Sequence, residues 1–188
     1  MYSGAGNFGY DSGQILFLAI LLDSSLYQVA TGRIQRTCRE YGFTRQPISA
    51  DRFHITLKVL GAYSEPLATE ISEIAASVRF PAFDIRLDKA LSYRNRNPHP
   101  FVLTSDAGLD PVRAFYQVLD ERLTAGGFAS AGKHSFNPHM TLIWDPKMVP
   151  VHNLMHPLKW TAQDFALVRS YQGQSRYDIV ERWPLDVE

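Results

Sequence analysis

The chain has 188 residues, 45% of them hydrophobic and 20% charged, the balance of a folded globular domain and not of a disordered chain. Its 19 basic residues are cancelled by 19 acidic ones, so the formal net charge is zero. That balance argues against wrapping long stretches of nucleic-acid backbone, where affinity comes from a basic excess that releases counterions. It leaves room for a small substrate or a strand end. No duplex DNA partner and no membrane partner is expected.

A single cysteine, Cys38, has no partner for an intrachain disulfide and cannot build a zinc site alone; a half-buried thiol on a helix is its expected role. The apolar run Ile15 to Leu22 is only eight residues, well short of a bilayer span. It also lacks the flanks of a signal peptide, so a cytoplasmic setting is the expectation. A monomer is the default.

Residues 1–13 are Gly- and Ser-rich without a period and read as a flexible tail, leaving 14–188 as one two-lobed domain. Ile15 to Leu22 has the length and continuity of a buried strand. Asp23 or Ser24 is placed to cap a helix that runs to about Tyr41 and stops at Gly42. A strand from Arg52 to Leu60 ends at Gly61. A second helix spans Glu65 to Val78, with Ile71, Ile74, Ala75 and Val78 at helical spacing. Phe83 to Leu91 alternates apolar and charged residues, the period of a half-buried strand. Pro100 to Thr104 reads as a strand, Asp110 to Ala125 as a helix stopped by Gly126 and Gly127, and Pro138 to Trp144 as a strand. Phe165 to Tyr171 and Tyr177 to Trp183 are two more strands, turning at Gly173.

The second half replays the first. FHITL at Phe53 to Leu57 matches PHMTL at Pro138 to Leu142, and each follows a strand, a helix and a loop. Ile15 to His54 is 39 positions and Phe101 to His139 is 38. An internal duplication of a strand–helix–strand unit brings equivalent residues face to face across a cleft. Residues two apart on a strand share a face, so His54 and Thr56 point one way while Ile55 and Leu57 point to the core. His139 and Thr141 do the same in the second copy.

Two imidazoles and two hydroxyls on one cleft suit phosphodiester chemistry without a metal or cofactor. Histidine titrates near neutrality, so one imidazole accepts a proton while the other donates. The hydroxyls can donate to the non-bridging phosphate oxygens. A lone histidine in an apolar strand is more often a satisfied buried residue, and threonine is an ordinary strand former. Recurrence of both at matched positions of both halves is what favours chemistry.

Two copies of His-x-Thr-x are the signature of the two-histidine phosphoesterase superfamily, and the sequence resembles its bacterial RNA 2′,3′-cyclic phosphodiesterase (2′-5′ RNA ligase) branch. FHITLKVLG from Phe53 to Gly61 is similar to that branch's first motif and NPHMTL from Asn137 to Leu142 to its second. The ending LVRSYQGQSRYDIVERWPL, from Leu167 to Leu185, is similar to its close. The resemblance implies an α+β, bilobal, duplicated fold: two antiparallel sheets with helices outside, pseudo-twofold about a central cleft. It implies hydrolysis of RNA 2′,3′-cyclic phosphate ends to 2′-phosphates, with reversible 2′-5′ ligation in some members. It assigns His54 as proton donor, His139 as proton acceptor, and Thr56 and Thr141 to the phosphate. RNA ends or small cyclic nucleotides are the implied partners.

Arg176 and Tyr177, opening the last strand, are candidate substrate contacts, the first for phosphate and the second for stacking on a base. His152 and His156 stand four apart but lack a third ligand and read as a surface connection. Lys133 with His134, and Arg94 and Arg96 with His99, read as solvated loops that could meet phosphate. Trp160 and Trp183 read as packing residues. Two other readings stay open: a nucleotide-binding module without turnover, and a related enzyme for ADP-ribose cyclic phosphate or 2′-5′ oligoadenylate.

Overall fold

The computed structural model describes residues 13–94, 97–129 and 135–186. The expected tail therefore lies outside the described residues save Gly13, as do Arg96, Lys133 and His134. Eight antiparallel strands and three α-helices follow in chain order: β1 (Gln14–Leu21), α1 (Tyr27–Tyr41), β2 (His54–Ala62), α2 (Glu65–Ala76), β3 (Phe83–Ser92), β4 (His99–Thr104), α3 (Asp110–Ala125), β5 (Met140–Asp145), β6 (His152–Ala162), β7 (Asp164–Tyr171) and β8 (Arg176–Pro184). Asp23 caps a single 3₁₀ turn ahead of α1, and α1 ends where Gly42 enters the left-handed region at φ 63° and donates to the Cys38 carbonyl.

The strands run β6-β3-β4-β5-β2-β1-β7-β8 across one sheet. The two sheets implied by the resemblance are thus the two halves of a single sheet. Their joint is one residue pair, Ile55 against Met140. About that joint the order is symmetric: β2 mirrors β5, β1 mirrors β4, β7 mirrors β3 and β8 mirrors β6. The duplicated unit is β1-α1-β2 and β4-α3-β5.

Each repeat's helix reaches across to the other half. From α1, Arg33 donates to the His156 carbonyl on β6 at 2.8 Å, and Tyr41 packs against Phe101 of β4 at 6.0 Å between ring centroids. In α3, Val112, Phe115, Leu119 and Leu123 form a fully buried stripe at helical spacing. Phe115 meets Phe165 of β7 at 5.1 Å, and Asp120 holds Lys58 of β2 at 2.6 Å. The halves are interlocked through one main apolar core. A second, small cluster of Phe17, Ala19, Ala166 and Val168, with Leu21 and Tyr177 against it, lies on the other face of the first half.

The segment from His152 is a correction: it is an eleven-residue strand at the sheet edge and not a surface connection. Proline has no N–H for a ladder and is tolerated at edges and bulges. The register here jumps from Leu87–Leu158 to Lys89–Asn153, so Pro157 sits in the skipped stretch. His99 likewise opens β4 instead of lying in a loop. Trp160 and Trp183 are buried, and Cys38 is half-buried on α1, with burial pushing its thiol pKa up.

Candidate active site

The joint between the halves carries the two motifs. Ile55 and Met140 are fully buried toward the helices, so their strand neighbours project to the opposite face. Antiparallel pairing of Ile55 with Met140 sets His54 beside Thr141 and Thr56 beside His139. All four side chains are half-buried. Neither threonine hydroxyl makes a hydrogen bond among the described residues, which leaves both free to donate into the cleft.

Each imidazole is fixed the same way. The Nδ1–H of His54 donates to the Arg52 carbonyl at 2.7 Å, and that of His139 to the Asn137 carbonyl at 2.8 Å. A carbonyl oxygen only accepts, so Nδ1 keeps the proton and Nε2 is left to exchange one with a ligand. This tether, to the residue two positions upstream, is identical in the two repeats.

Burial lowers the pKa of both histidines from their ordinary value, because the charged form is desolvated. The backbone tethers work in the opposite direction. His54 is depressed further by the Arg52 cation and by a charge on His139, which brings the two imidazoles into electrostatic reach of each other.

The side chains two positions upstream differ, and so do the rings they hold. The Arg52 guanidinium lies 4.7 Å above the Tyr177 ring, and Tyr177 meets His54 edge-on at 5.4 Å. Phe17 completes that side at 5.1 Å from His54. In the second repeat the Asn137 amide donates to the Tyr93 hydroxyl at 3.0 Å, and Tyr93 meets His139 edge-on at 5.1 Å. Arg52, Asn137, Tyr93 and Phe17 were not singled out by sequence reasoning. Only Arg52 and Asn137 carried a usable signal, their matched position before each histidine.

A pocket of about 380 Å³ opens beside His54, lined by Leu21, Asp51, Arg52, Val168, Tyr177 and Ile179, with Ser175 and Arg176. Tyr177 thus stands next to the first motif. Arg176 is spent differently: its guanidinium bonds Asp178 at 2.9 and 3.1 Å and lies 4.4 Å over Tyr171. His152 and His156 lie away from the cleft, with His152 Nε2 bonded to the Tyr41 hydroxyl at 2.9 Å. Arg94 is exposed after β3.

The sequence model of the 2′-5′ RNA ligase superfamily matches residues 6–174. A protein of Aeropyrum pernix named RNA 2′,3′-cyclic phosphodiesterase is 33% identical over 111 residues, 58% of this chain and 62% of that protein, so the match spans less than two thirds of its length. An Escherichia coli protein of the same name is 28% identical over 177 residues, 92% of this chain and 97% of its own. The crystal structure of Escherichia coli LigT in apo form superposes with a TM-score of 0.75 at 23% identity, covering 92% and 97% of the two chains, which shows the shared fold.

Proposed function

The chain belongs to the 2′-5′ RNA ligase superfamily, and from that premise we propose that it hydrolyses 2′,3′-cyclic phosphate ends of RNA to 2′-phosphates with His54 and His139 as acid and base. The observation that carries this reading is the joint itself: two imidazoles, each tethered through Nδ1, and two unengaged threonine hydroxyls flank one residue pair.

The step balances with these groups alone. Water loses a proton to Nε2 of His139 as its oxygen bonds phosphorus. The P–O3′ bond breaks on the far side, and O3′ takes the proton from Nε2 of His54. The monoester remains on O2′. Thr56 and Thr141 donate to the non-bridging oxygens, whose negative charge grows in the transition state. Burial keeps the empty imidazoles neutral, and an anionic phosphate between them favours the protonated form the acid requires. No metal enters this chemistry, and a 5′-hydroxyl attacking the same phosphorus in place of water, with O3′ leaving as before, gives a 2′-5′ joining.

The pocket beside His54 supports the order of roles. The leaving O3′ stays on the nucleoside, so the acid belongs on the side that holds the nucleoside. The aromatic and apolar lining of Tyr177, Leu21 and Val168 is suited to a base, whereas among the described residues the ring that meets His139 is Tyr93, edge-on. The lone half-buried cysteine fits a reducing, cytoplasmic setting.

The test is a substrate panel: RNA oligomers ending in 2′,3′-cyclic phosphate, ADP-ribose cyclic phosphate and 2′-5′ oligoadenylate. The reading expects the highest kcat/KM on the RNA end, with the product a 2′-phosphate. A preference for either of the other two, or binding of the cyclic end without turnover, overturns it.

A further inference from the structure

Arg52 is the conspicuous surplus of this site. Its Nε is buried and bonds nothing, and its guanidinium donates no hydrogen bond among the described residues. Asp51 lines the same pocket but forms no ion pair with it. A buried donor left without an acceptor is costly and in a native protein calls for an explanation. The side chain is not adrift, because the guanidinium lies over the Tyr177 ring at 4.7 Å from its centroid, and both residues line the pocket. Arg176, the other cation lining this pocket, is neutralised by Asp178. In the proposed function Thr56 and Thr141 serve the scissile phosphate at the joint, whereas Arg52 lines the pocket beside His54.

We propose that Arg52 holds a second substrate phosphate, the phosphodiester joining the terminal nucleotide to the one before it, so that the enzyme selects oligonucleotide ends over single nucleosides. This inference rests on the proposed function and deepens it. O3′ of the terminal nucleoside faces His54 in this reading, and the chain continues from the 5′ oxygen of the same nucleoside, which carries the next phosphate on that side of the cleft, where Arg52 lines the pocket. A guanidinium presents a fork of donors to a phosphate, and it can do so while stacked on a ring. The cation–π contact then sets the orientation before the ligand arrives, which limits the ordering cost of binding. Among the described residues the second repeat has no equivalent. Asn137 is neutral there and spends its amide on Tyr93, which fits a side of the cleft that needs only water.

Binding of two probes tests this without turnover: adenosine 3′-monophosphate and adenosine 3′,5′-bisphosphate, whose 5′-phosphate stands for the preceding phosphodiester. Calorimetry on the wild-type chain should show the bisphosphate bound about tenfold more tightly, one charge-assisted contact's worth. Arg52→Gln should bring the ratio close to one, and Arg52→Lys should restore part of it. Equal binding by the wild type, or a preference that survives Arg52→Gln, overturns the proposal. Turnover separates this from the function beneath it. If the RNA cyclic end is hydrolysed no better than a nucleoside 2′,3′-cyclic phosphate, the Arg52 proposal fails alone. If neither is hydrolysed, the proposed function fails.

Discussion

The two repeats of this molecule agree in their backbones and diverge in what surrounds each histidine. Both strands carry His-x-Thr, both imidazoles are tethered to the carbonyl two residues upstream, and both meet a tyrosine edge-on. The first repeat then adds a cation, a second aromatic ring and an apolar pocket. The second adds only a neutral amide, Asn137, bonded to the Tyr93 hydroxyl, among the described residues. What the copies share is what the proton transfers require of either side. What separates them is the asymmetry of the substrate, which has a nucleoside on one side of phosphorus and a water on the other.

The severest way to break this comparison is to remove either imidazole. His54→Ala and His139→Ala should each lower kcat on an RNA cyclic end by on the order of 10³-fold, and the double variant should be little worse, since the two act as a unit. A loss confined to one of them would show that the repeats are not partners. Thr56→Val and Thr141→Val should each cost roughly 10²-fold in kcat with a smaller change in KM, as hydroxyls that work mainly in the transition state do. Steady-state kinetics at saturating substrate reads both.

Stability should separate the repeats differently. The position six beyond each histidine is Leu60 in the first copy and Asp145 in the second. Burial raises the Asp145 pKa, but donors from the Lys147, Arg45 and Thr44 backbones outweigh it and hold the carboxyl below its ordinary 3.8. Asp145→Ala strands three backbone N–H groups and should cost about 3 kcal/mol in denaturant unfolding at neutral pH, more than Leu60→Ala. Because the folded pKa is depressed, that stabilisation is fully present above the unfolded value and disappears as pH falls through the folded one.

The pH dependence of kcat/KM sharpens the account of the pair. Both free imidazoles are held below the ordinary histidine value of 6.5, chiefly by burial. Raising pH strips the acid's proton and lowering it protonates the base, so the bell should peak on the acid side of that value. The smallest expected effect is in the second repeat: Tyr93→Phe removes the hydroxyl that anchors Asn137 and should lower kcat by about threefold.

Much of this arrangement was legible from period and spacing. The strand–helix–strand unit announced itself twice, and the alternation within FHITL and PHMTL separated the buried Ile55, Leu57, Met140 and Leu142 from the half-buried histidines and threonines. The joining of two expected sheets into one was not legible, because it hangs on the single pair Ile55–Met140, and one pair leaves no pattern. Strand β6 was hidden by Pro157, which reads as a breaker until the register shows a bulge around it. Tyr93 lies 46 positions from His139, too far for any local motif to connect them. Arg176 drew attention as the cation nearest the final turn, yet Arg52, hidden in the approach to the first motif, is the one left unspent.

The most direct test of the central claim is hydrolysis of an RNA oligomer ending in 2′,3′-cyclic phosphate, with EDTA present, by wild type, His54→Ala and His139→Ala. The account predicts conversion to a 2′-phosphate by the wild type at a rate the chelator does not change, and near-complete loss in both variants. Conversion that stops with EDTA, or turnover that survives loss of either histidine, would contradict it.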